Sequence, residues 1–129
     1  MKVMKLMNIA TCAIALLFSI ASCAQDKNDS AFKSLDLNKF KEVIADTANV
    51  VLVDVRTADE HAQGNIPGTK CNIDVLKEDF ESIAVESLPK DKTIAIYCRS
   101  GRRSKNAGAI LTKNGYNVVE LSTGYNGWK

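Results

Sequence analysis

Three stretches of the chain are apolar without interruption and rich in β-branched residues: "NVVLVDVR" (49–56), "KTIAIYC" (92–98) and "YNVVEL" (116–121). A short apolar run of this kind predicts a strand buried on both faces. Between these runs the apolar residues recur at helical spacing instead. "LNKFKEVIAD" puts Leu37, Phe40, Val43 and Ile44 on one stripe, with Asp36 or Asn38 as its cap. "LKEDFESIAVESL" does the same with Leu76, Phe80, Ile83 and Ala84, and "SKNAGAILTKNG" predicts a helix stopped by Gly115. Thr57 with Glu60 three residues on reads as a capping box, opening a short helix that ends at Gly64. "NIPG" reads as a turn, "KCNIDV" as a short strand, and "STGYNGWK" as a turn with a short closing segment in which Trp128 closes the core. Strands alternating with helices predict an α/β fold: a small, mostly parallel sheet with helices on both faces.

The first residues follow another pattern. Lys2 and Lys5 precede an apolar run from Ile9 to Ile20, and the small pair Ala21-Ser22 stands before Cys23. A basic start, a short apolar centre and small residues at the cut are the pattern of a secretory signal. The run is too short to span a bilayer, which takes about 20 apolar residues. "I-A-S-C" resembles the bacterial lipobox, which implies a signal peptide over residues 1–22 and a lipid on Cys23. Residues 23–34, including the polar "AQDKNDSAFKS", read as a flexible tether, and 35–129 as one domain. The expectation is a lipid-anchored protein of the cell envelope, outside the cytoplasm. Ala24 and Gln25 supply no inner-membrane-retaining aspartate, which favours the outer membrane.

That segmentation changes what the charge means. The net charge of +2 equals the two lysines of the signal-like segment, and that segment holds no acid. Without it, basic and acidic residues balance at 15 each, so composition gives no basis for nucleic-acid binding. Cys12 falls in the signal and Cys23 in the anchor, so Cys71 and Cys98 are the candidate thiols. Two cysteines do not make a disulfide framework. With His61 the only histidine and no C-x-x-C pair, no metal site is expected.

The candidate chemistry lies in "CRSGRRS", residues 98–104, at the end of a predicted central strand. Ligands of an open parallel sheet bind beyond the carboxyl ends of its strands. Here the chain must reverse into a helix starting near Arg103, and Gly101 gives the backbone the freedom to turn. Consecutive loop N–H groups can then converge into an anion-binding nest beside a helix N-terminus. A sulfur at that focus is favoured as thiolate. Arg99, Arg102 and Arg103 add positive charge for an anionic substrate. Ser104 either hydrogen-bonds the sulfur or caps the helix.

These residues resemble the active-site loop of rhodanese-like sulfurtransferases. "VLVDVRTADEHAQGNIPGT", "NIDV" and "STGYNGW" resemble further pieces of that family in the same order, so the resemblance runs from Leu35 to Lys129. It departs from the family pattern at His61, Asn65, Thr69 and Thr123, none of them in the loop. The resemblance implies Cys98 as nucleophile. A sulfane sulfur would pass from thiosulfate or a persulfide to cyanide or a thiol, through a Cys98 persulfide, without a cofactor. Residues Arg99, Ser100, Gly101, Arg102, Arg103 and Ser104 would bind the substrate, and Asp54 with Arg56 would brace the loop as an ion pair. His61 reads as a solvated helix residue. Cys71 reads as a small core residue, with a reversible disulfide to Cys98 as the sharper alternative. The partners expected are small sulfur donors and acceptors, with the chain monomeric.

Two other functions compete. Cysteine-loop phosphatases and arsenate reductases of the C-x-x-x-x-x-R type need arginine six residues after the cysteine, where this chain has Ser104. A sulfur-carrier or binding module without turnover needs no complete loop, and this chain retains one.

Overall fold

The computed structural model describes residues 32–129. The signal-like segment 1–22, the lipidation candidate Cys23 and tether residues 24–31 lie outside the described residues. Five parallel strands form one sheet in the order β1-β5-β4-β2-β3. They are β1 (Lys33–Leu35), β2 (Val50–Asp54), β3 (Cys71–Asn72), β4 (Thr93–Tyr97) and β5 (Val118–Leu121). The helices are α1 (Leu37–Ile44), α2 (Ala58–Gln63), α3 (Phe80–Ser87), α4 (Arg102–Lys113) and α5 (Gly124–Trp128).

The unbroken apolar runs divide residue by residue between two cores, because successive strand residues face opposite sides. Ile94, Ile96 and Val118 pack with Phe80 and Ala84 of α3 and Ala107 and Leu111 of α4. Leu52, Ala95, Tyr97, Val119 and Leu121 pack on the other side with Phe40 of α1, and with Tyr125 and Trp128 of α5. Phe40 is fully buried, and burying such a side chain contributes about 1.5–3 kcal/mol. Asp36 caps α1 by accepting from the Lys39 N–H at 2.9 Å. The capping box of α2 is present in both directions between Thr57 and Glu60.

Two expectations need correction. The tether reading overruns the fold, because Lys33–Leu35 form an edge strand on β5 and Phe32 packs against the first core. Three residues of mixed character carry no period, and pairing with β5 sets this strand. The helix expected from Leu76 begins at Phe80, and Leu76 is 66% exposed. Asp74 accepts the Leu76 N–H at 2.9 Å, an Asx turn that competes with helix at that point. The short closing segment folds as the helix α5.

Candidate active site

Cys98 follows β4, the central strand, at its carboxyl end and is fully buried. The chain then turns through Ser100 and Gly101 into α4. Gly101 sits at φ 97°, and a Cβ there would lie 2.1 Å from the Ser122 carbonyl oxygen, so only glycine fits. From the other side Gly124, at φ 65°, lets α5 approach the loop, since a Cβ would stand 2.4 Å from the Arg99 oxygen. The loop is held there by backbone bonds, Tyr125 N–H to Cys98 O at 2.8 Å and Asn126 N–H to Arg99 O at 3.0 Å. Thr123, where the resemblance has glycine, has φ −91°, so its side chain is accommodated without strain.

This geometry points donors at the sulfur. The Gly101 N–H donates to Cys98 Sγ at 3.1 Å, and the Cys98 thiol donates to Ser104 Oγ at 3.6 Å. Burial pushes the Cys98 thiol up. The Ser104 hydroxyl and the backbone N–H groups of Ser104, Gly101 and Ser100 outweigh it and hold the thiol below its ordinary value. Ser104 therefore serves the sulfur, while the N-cap position of α4 belongs to Gly101. Cys71 differs in kind: burial raises its thiol and no opposing donor acts on it. Cys71 pairs with Val53, which pairs with Ile96. It is therefore two strand spacings of about 4.8 Å from β4, and a further rise of about 6–7 Å from Cys98. A disulfide needs Cα atoms within about 7 Å, so the Cys71–Cys98 disulfide does not fit this sheet.

The arginines separate. Arg103 is tied to Glu60 of α2 by a two-pronged bridge, Nη1 to Oε1 at 2.7 Å and Nη2 to Oε2 at 2.9 Å. That bridge, with the Thr57 hydrogen bonds, holds the Glu60 carboxyl at about 2. Arg102 is exposed, and Arg99 lines an open groove of about 360 Å³ with Arg56, Glu60, Gly64, Tyr125 and Lys129. The bracing of the loop by charge thus runs through Glu60, a residue the sequence presents only as a capping partner.

Asp54 and Arg56 form the expected buried pair, with Arg56 Nε to Asp54 Oδ1 at 2.9 Å and Nη2 to Oδ2 at 2.7 Å. The guanidinium also donates to Gly64 O at 2.7 Å and lies 4.5 Å from the Tyr125 ring centre. It braces the end of α2 and the face of α5, and it lines the same groove as Arg99 of the loop. His61 is not simply solvated: its Nδ1 is 2.9 Å from Asp54 Oδ2, with the side chain 30% exposed. Thr69 and Asn65 take local partners as well, Thr69 Oγ1 bonding Tyr97 Oη at 2.9 Å and Asn65 donating to His61 O.

Glu120 is the functional candidate that sequence reasoning missed. It is fully buried on β5, its Oε1 accepting from Ser104 Oγ at 2.5 Å and its other oxygen from Ser34 Oγ. The available signal was a single acid inside an otherwise apolar strand. The arrangement is a buried thiol at a strand end, with a backbone donor on its sulfur and a carboxylate behind Ser104.

The family model of the rhodanese-like domain matches residues 36–129. A sulfurtransferase of Allochromatium vinosum is 40% identical over 97 residues, covering 73% of this chain and 85% of that protein. A thiosulfate sulfurtransferase of Escherichia coli is 39% identical over 72 residues, covering 56% and 67%. A human single-domain sulfurtransferase structure superposes with a TM-score of 0.61 at 26% identity, covering 76% and 96%.

Proposed function

The chain belongs to the rhodanese-like domain family, and from that premise we propose that it moves a sulfane sulfur from thiosulfate or a persulfide to cyanide or a thiol through a persulfide on Cys98. The observation that carries this reading is a buried Cys98 sulfur at the carboxyl end of β4, with the Gly101 N–H donating to it at 3.1 Å and Ser104 Oγ 3.6 Å away. In the first step the Cys98 thiolate attacks the outer sulfur of thiosulfate. A new S–S bond forms, the old one breaks, and sulfite leaves with the electron pair. The loop donors stabilise charge on the terminal sulfur without reorganising. In the second step cyanide or a thiolate attacks that terminal sulfur, and Cys98 leaves as the thiolate it began as. A phosphate reading has less support: position 104 is a serine bound to a carboxylate, and Arg103 is occupied by Glu60.

Turnover of thiosulfate with cyanide, followed as thiocyanate, tests the reading. Wild type turns over and Cys98→Ser does not. Absence of turnover with thiosulfate, glutathione persulfide and mercaptopyruvate would leave the carrier or binding module as the better account. The same reading anchors the domain by a lipid on Cys23 outside the cytoplasm, most simply at the outer membrane. Its support is the basic, apolar, small-residue order of residues 1–23. In a bacterial host, wild type is then expected in the membrane fraction with an acylated N-terminal peptide. Cys23→Ala loses the acyl group, and an unmodified Cys23 in wild type would overturn the anchor.

A further inference from the structure

Ser104 has one hydroxyl hydrogen and three acceptors around it: Glu120 Oε1 at 2.5 Å, Gly101 O at 3.2 Å and Cys98 Sγ at 3.6 Å. One hydrogen cannot serve two anions. With Glu120 ionised, the hydrogen goes to the carboxylate, and Ser104 Oγ offers a lone pair to the Cys98 S–H. With Cys98 ionised, the sulfur requires that same hydrogen.

The surroundings of Glu120 sharpen the conflict. From β1, Ser34 donates to Oε2, and from α4, Lys105 Nζ stands 3.4 Å from the same oxygen with half its side chain exposed. On β4, Ile96 lies beside it in register, and Cys98 is reached through Ser104. Among the described residues, Lys105 is the one cation paired with this carboxylate, and Gly101 O also holds its ammonium at 3.1 Å. On the sulfur's side the cation is Arg103 of α4, already paired two-pronged with Glu60. A buried site with so little free compensation resists two negative charges at once.

We propose that Glu120 is a positioning residue that shares one proton with Cys98 through Ser104. The S–H proton passes to Ser104 Oγ as the Ser104 hydroxyl proton passes to Glu120 Oε1. The S–H bond and the old O–H bond break, and a new serine O–H and a carboxyl O–H form. Negative charge moves from carboxylate to sulfur and the total charge of the pocket stays constant. Thiolate formation therefore adds no buried charge, and the fresh serine hydrogen faces the sulfur. The reverse transfer restores the thiol.

The inference rests on Cys98 being the reacting sulfur, but its test reads the thiol and needs no sulfur donor, so either reading can fail alone. The experiment is the alkylation rate of Cys98 against pH on the full chain, read site by site from the mass of the Cys98 peptide. Two coupled acids titrate as a pair. Wild type is expected to rise in two steps, with a plateau between them where one shared proton leaves part of the sulfur ionised. Glu120→Gln removes the second acid and collapses the curve to one step. Ser34→Ala removes a donor from the carboxylate, shifts the shared proton toward Glu120 and raises the plateau severalfold. This edge-strand variant decides the matter if Glu120→Gln does not fold. A purely structural role for Glu120 changes melting temperature and leaves the wild-type curve single. A one-step wild-type curve, or a plateau unmoved by Ser34→Ala, overturns the proposal.

Discussion

Asp54 and Glu120 are both fully buried carboxylates near strand carboxyl ends, on β2 and β5, and they are compensated in opposite ways. Asp54 meets a guanidinium two-pronged and a histidine besides. Glu120 meets two serine hydroxyls and, at 3.4 Å, the ammonium of a half-exposed lysine. A carboxylate locked to a buried cation holds elements together. A carboxylate held by hydroxyls is attached to groups that can pass a proton, and one of those hydroxyls touches Cys98. Burial alone does not distinguish bracing from chemistry; the partners do.

Removing charge from each should separate them most clearly. Asp54→Asn leaves Arg56 buried without its counter-ion, which costs about 3–5 kcal/mol. Thermal or urea unfolding should show that loss. Glu120→Gln leaves no buried cation unpaired, so its stability should stay within about 1 kcal/mol of wild type. Equal losses in the two variants would break the comparison.

Next in size is Gly101→Ala. Its Cβ would meet the Ser122 carbonyl at 2.1 Å, so the loop must move and the N–H groups leave the sulfur. The Cys98 thiol should then rise toward the ordinary thiol range, with slow alkylation at neutral pH. Global unfolding should move less than in Asp54→Asn. Alkylation at the wild-type rate would show that the loop donors do not set the thiol.

The smallest effect concerns Glu60, a third carboxylate that stands between the two kinds because it is partly exposed and paired across to the loop. Its carboxyl is held at about 2 by Arg103, below the 4.5 of a free glutamate. A depressed carboxyl contributes stability that is complete above the unfolded value and lost as pH falls toward the folded one. The melting-temperature advantage of wild type over Glu60→Gln should therefore be constant above about pH 5 and disappear toward pH 2. An advantage independent of pH would mean the bridge to Arg103 contributes nothing.

The same contrast explains what was legible in the chain. Asp54 and Arg56 stand two apart after an apolar strand, as in the family they resemble, and that resemblance made the ion pair readable. The strands β2, β4 and β5, the stripe of α1 and the capping box of α2 were readable because each is set by neighbours in sequence. The cysteine loop was readable because cysteine, glycine and following helix are contiguous. Glu120 was not, because its partners Ser34 and Ser104 lie 86 and 16 residues away. Glu60 was half legible: its link to Thr57 is local, and its link to Arg103 spans 43 residues. The strand β1 escaped because its three residues are fixed by pairing with β5 and not by their own pattern. The disulfide considered for Cys71 fails on the same ground, because sequence does not show that β2 stands between the two thiols.

The most direct test of the central claim is the intact mass of the fully reduced protein after incubation with thiosulfate, beside Cys98→Ser. Wild type should gain one sulfur atom, lose it on addition of cyanide, and return to its starting mass, while Cys98→Ser gains nothing. An equal gain in Cys98→Ser, or an adduct that cyanide does not remove, would contradict a persulfide on Cys98.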